Sequence, residues 1–333
     1  YLILRISVYP VNIKIFLIKK EYDLNNINLA KELAQITETD DIFKQPDIAH
    51  IFIHHHKVIQ SHLLPGLKVD VKEFEDHIEV NTTVEKNTKI EKPVHMCFGM
   101  IPEVGIQKMV IKNEIQENAS VSFLSHCAFP NAVDIQHIMD GTIKICKNAR
   151  FSYLERHVHG LHGGLKIYPH SKIQLSEGAH FYSEFELIKG RAGFIDIDYE
   201  AFCEKNSVLE MVSRISGKED DKINIKETAH LRGEKARGFL SSRVAATGRT
   251  KAEVYNKLIA SAAYARGHID CTEIIKDNAI VSAIPIVEVN HPKAHITHEA
   301  ALGSVDSKQL QTLMARGLNE EEATDLIIKG LLS

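Results

Sequence analysis

The chain has 333 residues, 44% apolar and 25% charged, which is enough for the core of one large or two ordinary domains and too apolar for a disordered chain. Its formal net charge of -4 gives no basic excess of the kind that marks nucleic-acid binders, and the 19 histidines add positive charge only below neutral pH. The five cysteines, Cys97, Cys127, Cys146, Cys203 and Cys271, are odd in number and widely spaced with no CxxC, which argues against a disulfide framework and against a zinc site of neighbouring thiolates.

The most apolar terminal stretch, YLILRISVYPVNIKIFLI from Tyr1 to Ile18, is interrupted by Arg5, Pro10 and Lys14 well before the roughly 20 apolar residues a bilayer crossing needs. It also lacks the basic, apolar, small-residue order of an export signal. The expectation is a cytoplasmic chain with no membrane partner. Residues 1–95 read as a small N-terminal α/β lobe. NINLAKELAQI, Asn26 to Ile36, has the pattern of a short helix capped by its own Asn26 or Asn28. IFIHHHKVI, Ile51 to Ile59, reads as a strand. Adjacent residues of a strand face opposite ways, so only His54 and His56 can share a metal, and a polar strand or turn is the simpler expectation.

Over residues 96–305 the texture changes to short alternating pieces: GTIKIC, GGLKIYPHSKIQLSEG, EFELIKG, GFIDIDY, DKINIKE, AIVSAIPIVEV and AHITHEA. Turn residues separate them, often by about 8 to 12 positions, which points to an all-β architecture. Hairpin signals are few, Asp140-Gly141 being the clear one, and this favours stacked coils of a β-helix slightly over a sandwich. Residues 306–333 read as two short helices. Asp306 or Ser307 caps the first, which carries Leu310, Leu313 and Met314 on one stripe and closes at Arg316-Gly317. Asn319 starts the second, with Glu322 in a capping-box position, Glu320 and Glu321 in the first turn and Lys329 in the last. Leu326, Ile327, Leu331 and Leu332 supply its apolar side. Such a pair packs on the β body or serves as a docking unit for another protein.

The chain contains no GxxxxGK[ST], GxSxG or HExxH, so it has no P-loop, hydrolase elbow or zincin helix. The run HVHGLHGGLKIYPH places His157, His159, His162 and His170 close in sequence, and its glycines suit tight turns. Imidazoles hold zinc, iron or copper, so a β-rich metal-dependent enzyme using His157 to His170 is one alternative function, and a purely structural assembly module is another. Cys271 and Glu299 lie 28 residues apart, about two strand–turn units, so a coiling chain can return one close to the other. Thiolate, imidazole and carboxylate all ligate iron. From the residues alone, a buried Cys271 and a hydrogen-bonding His298-Glu299 pair is the simpler expectation.

Three stretches resemble the SufB/SufD family of iron–sulfur cluster assembly proteins. They are AHITHEAALGSVDSKQL with ARGLNEEEATDLIIKG, the preceding RVAATGRTKAEVYNKLIASAAYARGHIDCTEIIKDNAIVSAIPIVEVNHPKA, and the β-rich middle from about residue 120. The resemblance implies a right-handed parallel β-helix ending in a small helical domain. It also implies a dimer through the β-helix cores and a SufC-type ABC ATPase bound at the helical end, which agrees with the missing P-loop. By position it implies that Cys271, Glu299 and His298 hold a transient iron–sulfur cluster destined for recipient apo-proteins. Features of both branches fall in one chain, so a homodimer is expected, as in a compact archaeal or anaerobe-type member. The role is that of a non-catalytic scaffold. LQTLMARG lacks the aromatic the family usually carries before Arg-Gly, and Cys127 and Cys146 have no counterpart.

Overall fold

In the computed structural model, which describes residues 13–14 and 23–332, the chain is a parallel β-solenoid with helices packed against its side. Apart from the two-residue strand Ile13–Lys14, the segment Tyr1 to Ile18 lies outside the described residues. No described helix is long and apolar enough to cross a membrane.

Two ten-stranded sheets face each other, and from residue 94 onward successive strands alternate between them. Each strand therefore pairs in parallel with the strand one coil earlier and one coil later. In one sheet Arg150 pairs with both Ser120 and His180, and the later coils continue through Val208, Arg237, Arg266 and His295. The strands run mostly to 10–12 residues, longer than the very short ones that the turn spacing suggests. Asp140-Gly141 is the clearest departure, since it lies inside the strand Asp134–Ile145 and not at a hairpin. Gly141 is paired with Ser171, and a Cβ there would sit 2.3 Å from the Ser171 hydroxyl, so glycine serves close approach between coils.

Alternate residues of each strand face the interior, which produces one continuous apolar core from Ala49 to Cys271. Corners repeat with each coil. A residue with positive φ is followed by a buried small one, as at Asn118-Ala119, Asn148-Ala149 and Gly178-Ala179. The small residue's N–H donates to the carbonyl three positions back each time. Asn118 also donates to the Asn87 side chain at 3.0 Å, stacking one corner on the next.

The first strands differ. His50–His54 and Lys57–His62 form an antiparallel hairpin, so the segment read as a single strand contains a turn at His55, where φ is 57°. His54 Nε2 accepts from the Ile101 N–H, His56 Nε2 accepts from the Lys108 N–H, and His56 Nδ1 donates to the Glu75 carbonyl. These histidines fasten the turn to its neighbours. Helix α1, Leu24–Ile36, is capped by Asp23, whose carboxylate accepts from the Asn26 N–H at 2.8 Å; neither Asn26 nor Asn28 is the cap. Its buried Ala30, Leu33 and Ala34 pack with Phe52, Ile59, Cys97 and Ala128.

Helix α2, Ser307–Met314, begins at Asp306, which accepts from the Gln309 N–H, and Gly317 takes the left-handed position beyond it with φ 98°. Helix α3, Glu320–Leu332, has the expected reciprocal capping box between Asn319 and Glu322. Its inward face is Ala323, Thr324, Ile328 and Leu332, seated near Ala245 and Ile188, which leaves Leu326 half exposed. Lys276 fixes the start of α3 through Thr324 and Glu320, and Arg243 donates to the Leu331 carbonyl near its end.

Candidate functional site

The solenoid ends in two uncovered strands, Ile280–Val289 and His295–Ser304, each terminal in its sheet. Cys271 lies on the neighbouring strand Arg266–Ile275 with its side chain in the interior. Register decides which residues join it. Cys271 pairs with Ala300, Ile269 with His298 and Asp270 with Glu299. Directly paired residues share a face, and Ile269 is buried, so His298 stands on the thiol's side of the sheet. Glu299 points outward with Asp270, on the face where His268 hydrogen-bonds Thr297 at 2.7 Å. The structure thus places His298 on the face of Cys271 and Glu299 on the opposite one.

Burial raises the Cys271 thiol, while hydrogen bonds with Ser242 and from Asn256 (3.7 Å) pull it back toward ionisation. Glu273, buried two residues further along the same inner face, carries a carboxyl raised to about 7 by desolvation. Nothing in CTEII singles it out, since Glu273 is the one carboxylate of that stretch and only strand alternation from Cys271 places it inward. Large apolar side chains surround this end without cover: Ile280 is 62% exposed, Leu302 59% and Val289 49%. Leu302 and Val289 follow the buried Glu273 and Ala260 in register, so among the described residues these inward positions of the last coil lack the cover that earlier coils have, whereas Ile280 follows the exposed Lys251 on the outer face.

A second polar cluster lies far earlier in the solenoid. His157 is the direct register partner of Cys127, and Glu155 shares their inner face. The donor atoms of Cys127, Glu155 and His157 lie within 4.8 Å of one another, all buried. His159 is also interior, whereas His162 is exposed in a bend and His170 faces outward near Asp140. The four-histidine site expected from the run is therefore split, because strand alternation and the turn separate its members.

A family model described as SUF system FeS cluster assembly, SufBD core domain, matches residues 106–331, most of the solenoid and both terminal helices. The chain belongs to the SufBD family. A SufBD family iron–sulfur cluster assembly protein of Methanocaldococcus jannaschii is 40% identical over 313 residues, covering 92% of this chain and 99% of that protein. A second, from Pyrococcus horikoshii, is 37% identical over 285 residues, with 86% and 87% covered. The iron–sulfur cluster assembly protein SufB of Bacillus subtilis is 31% identical over 163 residues, 39% of this chain and 34% of its own. The open end sets a thiol, an imidazole and carboxylates on the adjacent strands Arg266–Ile275 and His295–Ser304.

Proposed function

We propose that this SufBD protein is a homodimeric scaffold on which iron and sulfide are held while an iron–sulfur cluster forms, before transfer to recipient apo-proteins. The open last coil carries this proposal. Its edge strand brings His298 and Glu299 to the rim, next to the strand of Cys271, amid exposed Ile280, Leu302 and Val289. A second copy related by a twofold axis covers those apolar groups, pairs the free edge and doubles each ligand. Cys271 and His298 serve the inner side of the seam, and Glu299 with Asp270 serves the outer side. The divergence of adjacent strand residues then becomes a division of labour between two faces.

The scaffold is non-catalytic. A SufC-type ABC ATPase supplies the nucleotide chemistry for which this chain has no GxxxxGK[ST], and it docks on α2 and α3. In support, α2 has no buried residue, and Met314 and Leu326 are 41% and 50% exposed while α3 is already anchored by its other face. The test is anaerobic reconstitution followed by iron and acid-labile sulfide analysis. Wild type should retain both, and Cys271→Ser and Glu299→Ala should each lose most of the iron while remaining folded. His298→Ala should lose iron too, because its side chain shares the thiol's face, whereas Cys203→Ser should load normally. Wild-type loading in both Cys271→Ser and Glu299→Ala would overturn the assignment.

A further inference from the structure

We propose that Cys127, Glu155 and His157, with His137 as fourth donor, form a closed site for a divalent transition-metal ion of the zinc or iron(II) class inside the solenoid. The site is separate from the open-end coil and does not rest on its role as a scaffold.

Proton bookkeeping supplies the first argument. His159 Nδ1 lies 2.9 Å from the Arg191 carbonyl, which only accepts, so that nitrogen carries the hydrogen. In the neutral ring His159 Nε2 is then an acceptor, and it takes the hydrogen of His157 Nδ1 at 3.1 Å. His157 Nε2 is left with a bare lone pair, aimed at Glu155 Oε1 2.8 Å away. Two electron-rich atoms at that distance require a cation between or beside them, either a proton or a metal. The relay from Arg191 through His159 also resembles the outer hydrogen bonding that fixes the tautomer of a metal-bound imidazole.

The geometry suits a small tetrahedral ion. Bond lengths of about 2.0–2.3 Å to N, O and S give ligand–ligand edges of about 3.3–3.6 Å. The observed 2.8 Å from Glu155 to His157 and 3.9 Å from Cys127 Sγ to Glu155 bracket those edges. Modest side-chain shifts suffice. The donor types narrow the ion: a thiolate and imidazoles select zinc or iron over magnesium or calcium. Two anionic ligands, thiolate and carboxylate, also neutralise a divalent charge, which matters where a net ionic charge has no water to solvate it.

His137 is the independent observation. It enters from the opposite sheet, on the strand Asp134–Ile145, and is 1% exposed. Among the described residues neither of its ring nitrogens has a hydrogen-bond partner, a cost of roughly 1–3 kcal/mol for a buried polar group. Its ring centroid stands 6.3 Å from that of His157, within reach of a shared ion after rotation. Phe129 and Phe185 wall the cluster at 4.8 Å from His137 and 4.6 Å from His157. No donor residue is more than 3% exposed, so the ion enters before the coils close and is held until they open.

The test is expression of the full chain in minimal medium supplemented with cobalt(II), followed by purification with chelator and measurement of cobalt content and thiolate-to-cobalt absorption. The expected result is one chelator-resistant ion per chain, with an absorption that persists in Cys271→Ala and disappears in Cys127→Ala and His157→Gln. Chain grown without cobalt should carry zinc or iron at the same stoichiometry. Cobalt-free wild type would overturn the proposal by showing that a proton alone joins Glu155 to His157. Absorption that vanishes in Cys271→Ala would overturn it by assigning the metal to the open-end coil. If the Cys127 and His157 variants fail to fold, the wild-type and Cys271→Ala measurements decide alone.

Discussion

Replacing Glu227 by glutamine should remove a pH dependence of stability built into the middle of the solenoid. Glu227 is 1% exposed, its Oε1 accepts from the Ser213 hydroxyl at 2.7 Å, and its Oε2 has no partner among the described residues. Desolvation raises its carboxyl from 4.5 to about 7. Below about pH 4.5 folded and unfolded chains both keep the proton. Between about 4.5 and 7 the unfolded chain releases it and the folded chain does not, so the native state binds more protons and stability falls as pH rises. Above about 7 both are ionised and the loss is complete. A gap of about 2.5 pH units corresponds to about 3 kcal/mol.

Guanidinium unfolding at pH 5 and pH 8, for wild type and Glu227→Gln, measures this directly. Wild type should lose about 2–3 kcal/mol more than the variant between the two conditions. The buried histidines titrate in an overlapping range with the opposite sign, since their depressed values favour the fold as pH rises. Their contribution is common to both proteins and cancels in the comparison. Equal pH slopes would refute the placement of a neutral carboxyl at this position.

At the helical end, Met314→Asp with Leu326→Asp should abolish capture of the SufC-type ATPase in a pull-down without lowering the unfolding midpoint, because both side chains are exposed. Ile328→Asp should instead destabilise the end of the molecule, since Ile328 is buried near Ala245. At the open coil, Leu302→Asp should convert dimer to monomer in sedimentation velocity while circular dichroism stays unchanged; a dimer unaffected by that change would place the interface elsewhere.

Much of the fold could be read from the sequence, for identifiable reasons. Inward and outward residues alternate in pieces such as KINIKE and FIDIDY, so strand character survives without tertiary information. The capping box at Asn319 and Glu322 is local, and it formed as written. Which face of α3 turns inward was not local, because its partner Ala245 lies some 80 residues earlier. The coil period was present but disguised. Asn118, Asn148 and Gly178 mark their corners with residues that tolerate positive φ, but Lys235 and Tyr264 occupy equivalent corners at φ 61°. What persists is the small residue that follows, Ala236 and Ala265, both fully buried.

The same period governs the sites. Cys271 and Glu299 are 28 residues apart, one short of the 29 that separate Cys271 from Ala300, and that single residue sends Glu299 to the other face. Cys127 and Glu155 are also 28 apart, but their coil repeats at 30, so the offset is two residues and both face inward. Spacing alone could not separate these cases; the register of each coil does.

The most direct test of the account is transfer. Wild-type protein loaded anaerobically with iron and sulfide should be mixed with an apo-ferredoxin, and the visible spectrum of the recipient followed after separation of the two proteins. The account predicts that the recipient acquires a cluster while the scaffold loses a matching amount of iron and sulfide, and that protein prepared from Cys271→Ser delivers little. A wild-type protein that binds no sulfide, or that keeps its iron and sulfide while the recipient stays apo, would contradict it.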